Sequence, residues 1–299
     1  TDNKLFVEIF TYTIFIAINL IVDQINWNID KLLLGRFKGT VAVAIYSVGY
    51  SLYSYYASFS VSISNVFTPR IHNIVNHTKN DLEKQRKQLT DIFIKVGRIQ
   101  FLILTLIISG FIFFGKEFIT KIWAGSDYTE SYYVALLLMI PATIALIQNL
   151  GIEIQRAENK HQFRSIVYTG MAIVNLILSV FLCQEYGAIG SAFGTAISLI
   201  IANGIIMNFY YQKKCNIDIM AFWKNIIQLS FGLIIPIIAG IILTRNIPYG
   251  NILLFLIKIV VYVVIYSMSM YFLGTNDFEK SLIVNLIQKI DILKLIKNR

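Results

Sequence analysis

Charge is scarce along these 299 residues: Asp, Glu, Lys and Arg make up 14%, against 56% hydrophobic residues. A soluble globular domain carries about a quarter charged residues, so this composition, with a mean hydropathy of +0.65, excludes a water-soluble fold. Cysteine is almost absent. Cys183 and Cys215 are too few for a disulfide framework and lack metal-site spacing. On the topology reached below they fall on opposite membrane faces, with Cys215 reachable from the inner one. The three histidines, His72, His77 and His161, sit in polar loops, and the first two, five apart, do not share a helix face. There is no Ser/His/Asp set and no phosphate-cradling glycine loop followed by lysine, so the chain reads as non-enzymatic. The first residue is threonine, and no short apolar leader with a cleavage site precedes the first span. The sequence therefore reads as a fragment of a longer chain.

Long apolar runs are what it has in plenty. A helix rises about 1.5 Å per residue, so about twenty apolar residues cross a hydrocarbon core of about 30 Å. Eight runs meet this, at roughly 5–30, 40–66, 92–114, 132–151, 165–184, 187–210, 226–243 and 251–272. They are continuous rather than alternating, which excludes a membrane barrel. With the N-terminus inside, inner segments hold nineteen Lys and Arg and outer segments six, so both termini are expected in the cytoplasm. The net charge of +9 is then mostly cytoplasmic charge facing anionic lipid. No nucleic-acid partner is implied. The tail places Phe278, Leu282, Leu286, Ile290 and Leu293 on one helical face, with lysines opposite, as an amphipathic helix on the inner surface does.

The polar residues inside the runs carry the functional signal. Asn19, Asp23, Asn26 and Asp30 are spaced by four, three and four, which puts them in one stripe. A carboxylate facing lipid costs several kcal/mol, so the stripe is expected to face a hydrated cavity. The alternative is that the first span ends near residue 24 and Asp30 lies at the outer headgroup level. In the next run Tyr46, Tyr50 and Tyr53 share a face, with Ser47, Ser51, Ser54 and Ser58 beside them. Small residues in membrane helices commonly mean close packing, whereas hydroxyls beside aromatic rings suit a sugar. Lys31, Arg36 and Lys38 make a basic mouth between these two runs, fit for an anionic, phosphate-bearing substrate. Pro141 and Pro236 are expected to kink their helices. Gly187, Gly190 and Gly194 read as a helix-packing seam, and Glu153 with Arg156 as a structural ion pair.

Three stretches, "IDKLLLGRFKGTVAVAIYSVGY", "IWAGSDYTES" and "YGAIGSAFGTAISLI", come in an order and spacing that resembles the Wzx-type oligosaccharide-lipid flippases. These belong to the multidrug/oligosaccharidyl-lipid/polysaccharide exporter superfamily. The resemblance covers residues 20 to 210. It implies an all-α integral membrane protein, a MATE-like bundle with eight transmembrane helices in this chain, corresponding to spans seven to fourteen. Residues 1–211 would be the C-terminal six-helix bundle, 212–275 two additional helices, and 276–299 the cytoplasmic tail helix. The N-terminal bundle of the same parent protein is an implied partner, as is a polysaccharide polymerase. The implied activity is movement of undecaprenyl-diphosphate-linked repeat units across the bacterial cytoplasmic membrane for capsule, O-antigen or exopolysaccharide synthesis. Asp30 falls on the family's acidic position, and Asp23 and Asp30 would carry a coupling proton or sodium ion. The expected cavity residues are Asp23, Asn26, Asp30, Lys31, Arg36, Tyr46, Tyr50 and Tyr53. The rival readings are a cation-coupled multidrug exporter of the same superfamily and a membrane polymerase or ligase.

Overall fold

A computed structural model describes residues 28–282, 284 and 285 of the chain. Asn19, Asp23 and Asn26 lie outside the described residues, as does most of the expected first span. Among the described residues every element is helical: α1 (28–37), α2 (Thr40–His77), α3 (Leu82–Glu117), α4 (Thr129–Leu146), α5 (Leu150–Ala157), α6 (Gln162–Leu199), α7 (Asn208–Lys213), α8 (Ile219–Ser230), α9 (Ile234–Asn246), α10 (Ile252–Ser269) and α11 (277–282). Three wider, π-helical stretches, Phe118–Trp123, Ile200–Met207 and Met270–Gly274, extend α3, α6 and α10. Among the described residues five stretches are long and apolar enough to cross a membrane: Leu82–Trp123, Ser126–Leu146, Gln162–Lys213, Ile219–Asn246 and Ile252–Gly274. The chain is an all-α, multi-pass membrane protein.

Short polar residues begin several of these helices. Asp81, Asp218 and Asn251 each accept the backbone N–H three residues on, from Lys84, Ala221 and Leu254, at 2.8–3.0 Å, which satisfies a donor the helix end leaves free. Gly39 (φ 83°) and Gly125 (φ 100°) make the turns into α2 and toward α4, in a backbone region that favours glycine.

Two packings position the site. Helices α2 and α4 run parallel, and their register is pinned by hydroxyls. Ser131 donates to the Ile45 carbonyl at 2.7 Å, Tyr56 meets Thr143 at 2.7 Å, and Ser60 donates to the Leu146 carbonyl at 2.6 Å. Gly49 allows the approach, since a Cβ there would sit 2.7 Å from Val134. The second packing is a hairpin within Gln162–Lys213. Gly187 has φ 56° and ψ −131°, and the chain turns back on itself there. Phe163 stacks on Tyr210 with ring centroids 4.2 Å apart, Tyr168 bonds Asn203, and Ser179 lies against Gly194. Residues 162–186 thus form a first arm and 188–213 a second, antiparallel one.

Several expectations are corrected. Gly187 is the turn and not part of a packing seam; Gly190 and Gly194 remain at the close approach, next to the Leu182 carbonyl and Ser179. The run 132–151 is not one helix but breaks between Leu146 and Leu150. Of the serine row, Ser54 and Ser58 are exposed, and Ser51 and Ser58 donate back to their own helix. The serines that pack between helices are Ser60 and Ser64. Cys215 is fully buried, and burial pushes its thiol up to about 12, so it is closed to reagents from either face. Glu153 and Arg156 do pair, at 2.6 Å.

Candidate functional site

Helix α1 delivers Asp30 to the junction of α2 with both arms of α6, where it is 3% exposed. Four hydroxyls surround its carboxylate. Ser179 and Ser191 donate to Oδ1 at 2.9 and 2.6 Å, and Tyr46 and Thr195 to Oδ2, each at 2.8 Å. Hydrogen bonds to a charged acceptor contribute about 1.5–3 kcal/mol each. Four of them are comparable with the several kcal/mol that burying an ion costs, so the carboxylate is tolerated at this depth.

Asn175 forms a second layer. Its side-chain oxygen lies 3.1 Å from the Ser179 hydroxyl and 3.3 Å from that of Thr195. Each hydroxyl has a single proton, already given to Asp30. The amide nitrogen of Asn175 therefore belongs on this side, donating to both hydroxyls and directing their protons at the carboxylate.

Tyr46, Tyr50 and Tyr53 form a continuous aromatic wall leading away from Asp30. Tyr46 and Tyr50 stack at 6.3 Å between centroids, and Tyr50 and Tyr53 meet at 5.7 Å. The wall lines a cavity of about 310 Å³ that also receives Asp30, Asn175, Tyr168 and Arg164. Lys31 lies with Nζ 4.6 Å from the centre of the Tyr50 ring. Arg36 is exposed more than a turn further along α1 and does not line this cavity. Asp30, Tyr46, Tyr50 and Tyr53 are thus brought together, Lys31 lies against the Tyr50 ring without lining the cavity, and Arg36 is apart.

Arg164 had no place in the expected site because it reads as one more positive charge in an inner loop. The fold puts it in the first turn of α6, with its guanidinium 4.3 Å over the Tyr168 ring and donating to that hydroxyl at 2.7 Å. Fifteen residues of helix, about 22 Å, separate it from Ser179 and the carboxylate cage. The cavity therefore offers an acidic, hydroxyl-rich end, a cationic end, and tyrosines between. Among the described residues no cluster of three His, Cys, Asp or Glu side chains is found.

Comparison with known proteins bears on what such a cavity serves. Residues 1–75 match the sequence family described as polysaccharide biosynthesis protein. Over 216 residues, 72% of this chain, it is 21% identical to a Shigella flexneri protein named for O-antigen transport, 49% of which is covered. These matches support a resemblance to the Wzx-type flippases. A Staphylococcus aureus relative, capsular polysaccharide biosynthesis protein CapF, is 25% identical over 211 residues, 70% of this chain and 50% of the relative. The chain spans about half the length of these curated relatives. No solved structure matches it.

Proposed function

We propose that this chain is the C-terminal half of a flippase that carries undecaprenyl-diphosphate-linked oligosaccharides across the bacterial cytoplasmic membrane, coupled to a proton or sodium ion at Asp30. The observation that carries this reading is the pairing, in one cavity, of a caged carboxylate with a distant guanidinium across an aromatic wall. The cage supplies a carboxylate and three aliphatic hydroxyls. Oxygen donors of this kind suit a hard monovalent cation, and a hydroxyl that donates to the carboxylate keeps lone pairs for the ion. Arg164 presents planar N–H donors that fit phosphate oxygens, and the Tyr50 and Tyr53 rings offer apolar faces and hydroxyls to a sugar. The relatives named for O-antigen transport and capsule synthesis support the same cargo class. A drug exporter of the same superfamily would use the carboxylate for a cationic substrate, and Arg164 in the same cavity counts against it.

The test is flipping of a fluorescent lipid-linked diphosphate sugar by the full-length protein in liposomes, with a cation gradient applied. Asp30→Asn is expected to abolish the dependence on the gradient, and Arg164→Gln to slow flipping at least tenfold. Wild-type rates in both variants would overturn the assignment.

A further inference from the structure

The wide stretch Ile200–Met207 lies in the second arm, between Thr195 of the carboxylate cage and the basic end of the cavity. A single wide turn within an α-helix skips one i→i−4 bond where normal winding resumes, and such turns cluster at functional sites. Here Asn208 stands at that resumption, 9% exposed. Its Nδ2 donates to the carbonyls of Asn203 and Gly204 at 2.7 and 3.0 Å. Its Oδ1 accepts from Gln148 Nε2 at 2.8 Å and from Trp223 Nε1 at 3.0 Å. An indole N–H can only donate, so the orientation of Asn208 is fixed, and its donors can serve only those carbonyls. The middle of the stretch is held from the cavity side. Tyr168 donates to Asn203 Oδ1 at 2.6 Å while accepting from Arg164 at 2.7 Å. A chain of hydrogen bonds therefore runs from the cavity cation through Tyr168 and Asn203 to the one irregular segment of the arm that bears Ser191 and Thr195.

We propose that Tyr168, Asn203 and Asn208 are positioning residues that make Ile200–Met207 a two-register joint, linking anion capture at Arg164 to the hydroxyl cage of Asp30. This rests on the anion-binding reading of Arg164 given above. An anion that takes the Arg164 N–H groups withdraws the charged donor from Tyr168 and loosens its bond to Asn203. The stretch then rewinds as ordinary α-helix. Removing one residue's worth of extra turn rotates the part of the arm above it by about 100° and shifts it about 1.5 Å. Ser191 and Thr195 leave Asp30, two of its four donors are lost, and a cation held there is released. Linkage makes the effect reciprocal: cation binding weakens anion binding by the same factor.

The probes are sodium ion and inorganic pyrophosphate, titrated calorimetrically on the purified full-length protein, with amide hydrogen exchange followed over residues 196–210. In the wild type, pyrophosphate is expected to weaken sodium binding at least fivefold and to change exchange in that segment. Tyr168→Phe keeps the ring under Arg164 but removes the hydroxyl. It should bind both ligands with the coupling reduced to less than twofold. Asn208→Asp keeps the acceptor for Gln148 and Trp223, loses both N–H donors, and should raise exchange in the segment without ligand. Failure of pyrophosphate to bind, or undiminished binding in Arg164→Gln, would overturn the anion site and this joint with it. Binding of both ligands with no mutual effect, or full coupling in Tyr168→Phe, would overturn the joint alone.

Discussion

A carboxylate held by four hydroxyl donors can lose its charge without losing its fold. In Asp30→Asn the new amide keeps the volume, and the Tyr46 and Thr195 hydroxyls can turn to accept where they now donate, since a hydroxyl does either. The variant is therefore expected to accumulate in the membrane at wild-type levels, as measured by quantitative blotting of membrane fractions, so any transport defect is a defect of charge. A loss of protein instead would make Asp30 structural. The cysteines give a second residue-scale prediction. Cys183 and Cys215 are both fully buried, and a thiol at about 12 leaves roughly one molecule in ten thousand as reactive thiolate at pH 8. Neither should label with an impermeant maleimide until the protein is unfolded, whereas a cysteine at exposed Ser126 should label at once. Labelling of Cys215 in the folded protein would contradict the packing at that end. The sequence makes part of this scale legible. Asp30 stands out as a carboxylate in an apolar run, though the other members of its expected stripe lie outside the described residues, and the shared face of Tyr46, Tyr50 and Tyr53 marks the cavity wall. It cannot show that Ser179, Ser191 and Thr195 converge on Asp30 from residues about 150 positions away, because nothing local encodes where a hairpin docks. Arg164 was hidden for a related reason: a cation at the foot of a span reads as loop charge until the fold turns it inward.

Among the elements, α9, α10 and α11 look like additions to a six-helix bundle, yet α3 grips them at both ends. At one end Lys258, 1% exposed, donates to Glu117 at 2.7 Å and to the Ile247 carbonyl at 3.1 Å. At the other, Arg98 donates through Nε and Nη2 to both oxygens of Glu279, and further to the Asn225 and Gly274 carbonyls. Glu279 also closes a capping box with Asn276: its carboxylate accepts the Asn276 N–H at 2.9 Å, and its own N–H donates to Asn276 Oδ1 at 3.0 Å. Nineteen residues of α3, about 28 Å, separate the two grips, which fixes the added helices along the whole thickness of the bundle. The apolar runs at 226–243 and 251–272 were legible from hydropathy; their attachment was not, since Arg98 and Glu279 are 181 positions apart. Glu279→Ala leaves a guanidinium buried without its counter-charge, and removing one partner of a buried pair costs about 3–5 kcal/mol. A lowered melting temperature in detergent is expected, with part of the loss recovered in the Arg98→Met/Glu279→Ala double variant. Unchanged melting in the single variant would mean that the pair does not hold the tail.

At the scale of the whole molecule, the cavity has walls from α1, α2, α4 and the two arms of α6, while other faces of the same elements carry large exposed side chains. Tyr55 and Phe59 of α2 are 68% and 50% exposed, and Ile166, Ile177 and Phe181 of the first arm 70%, 52% and 69%. On the flippase reading proposed above, the opposing wall is a second bundle, because alternating access rocks one bundle against another around a shared site; the curated relatives are twice the length that this chain covers. Residues 1–299 alone, reconstituted in liposomes with a fluorescent lipid-linked diphosphate sugar, are accordingly expected to flip no faster than empty vesicles. Co-expression with the remaining half of the parent protein as a separate chain should restore flipping, and the Arg164→Gln form of the present chain should not do so under the same conditions. Flipping by residues 1–299 without any partner would mean that the cavity between α2 and the α6 hairpin is by itself a complete path across the membrane, and the two-bundle account would fall.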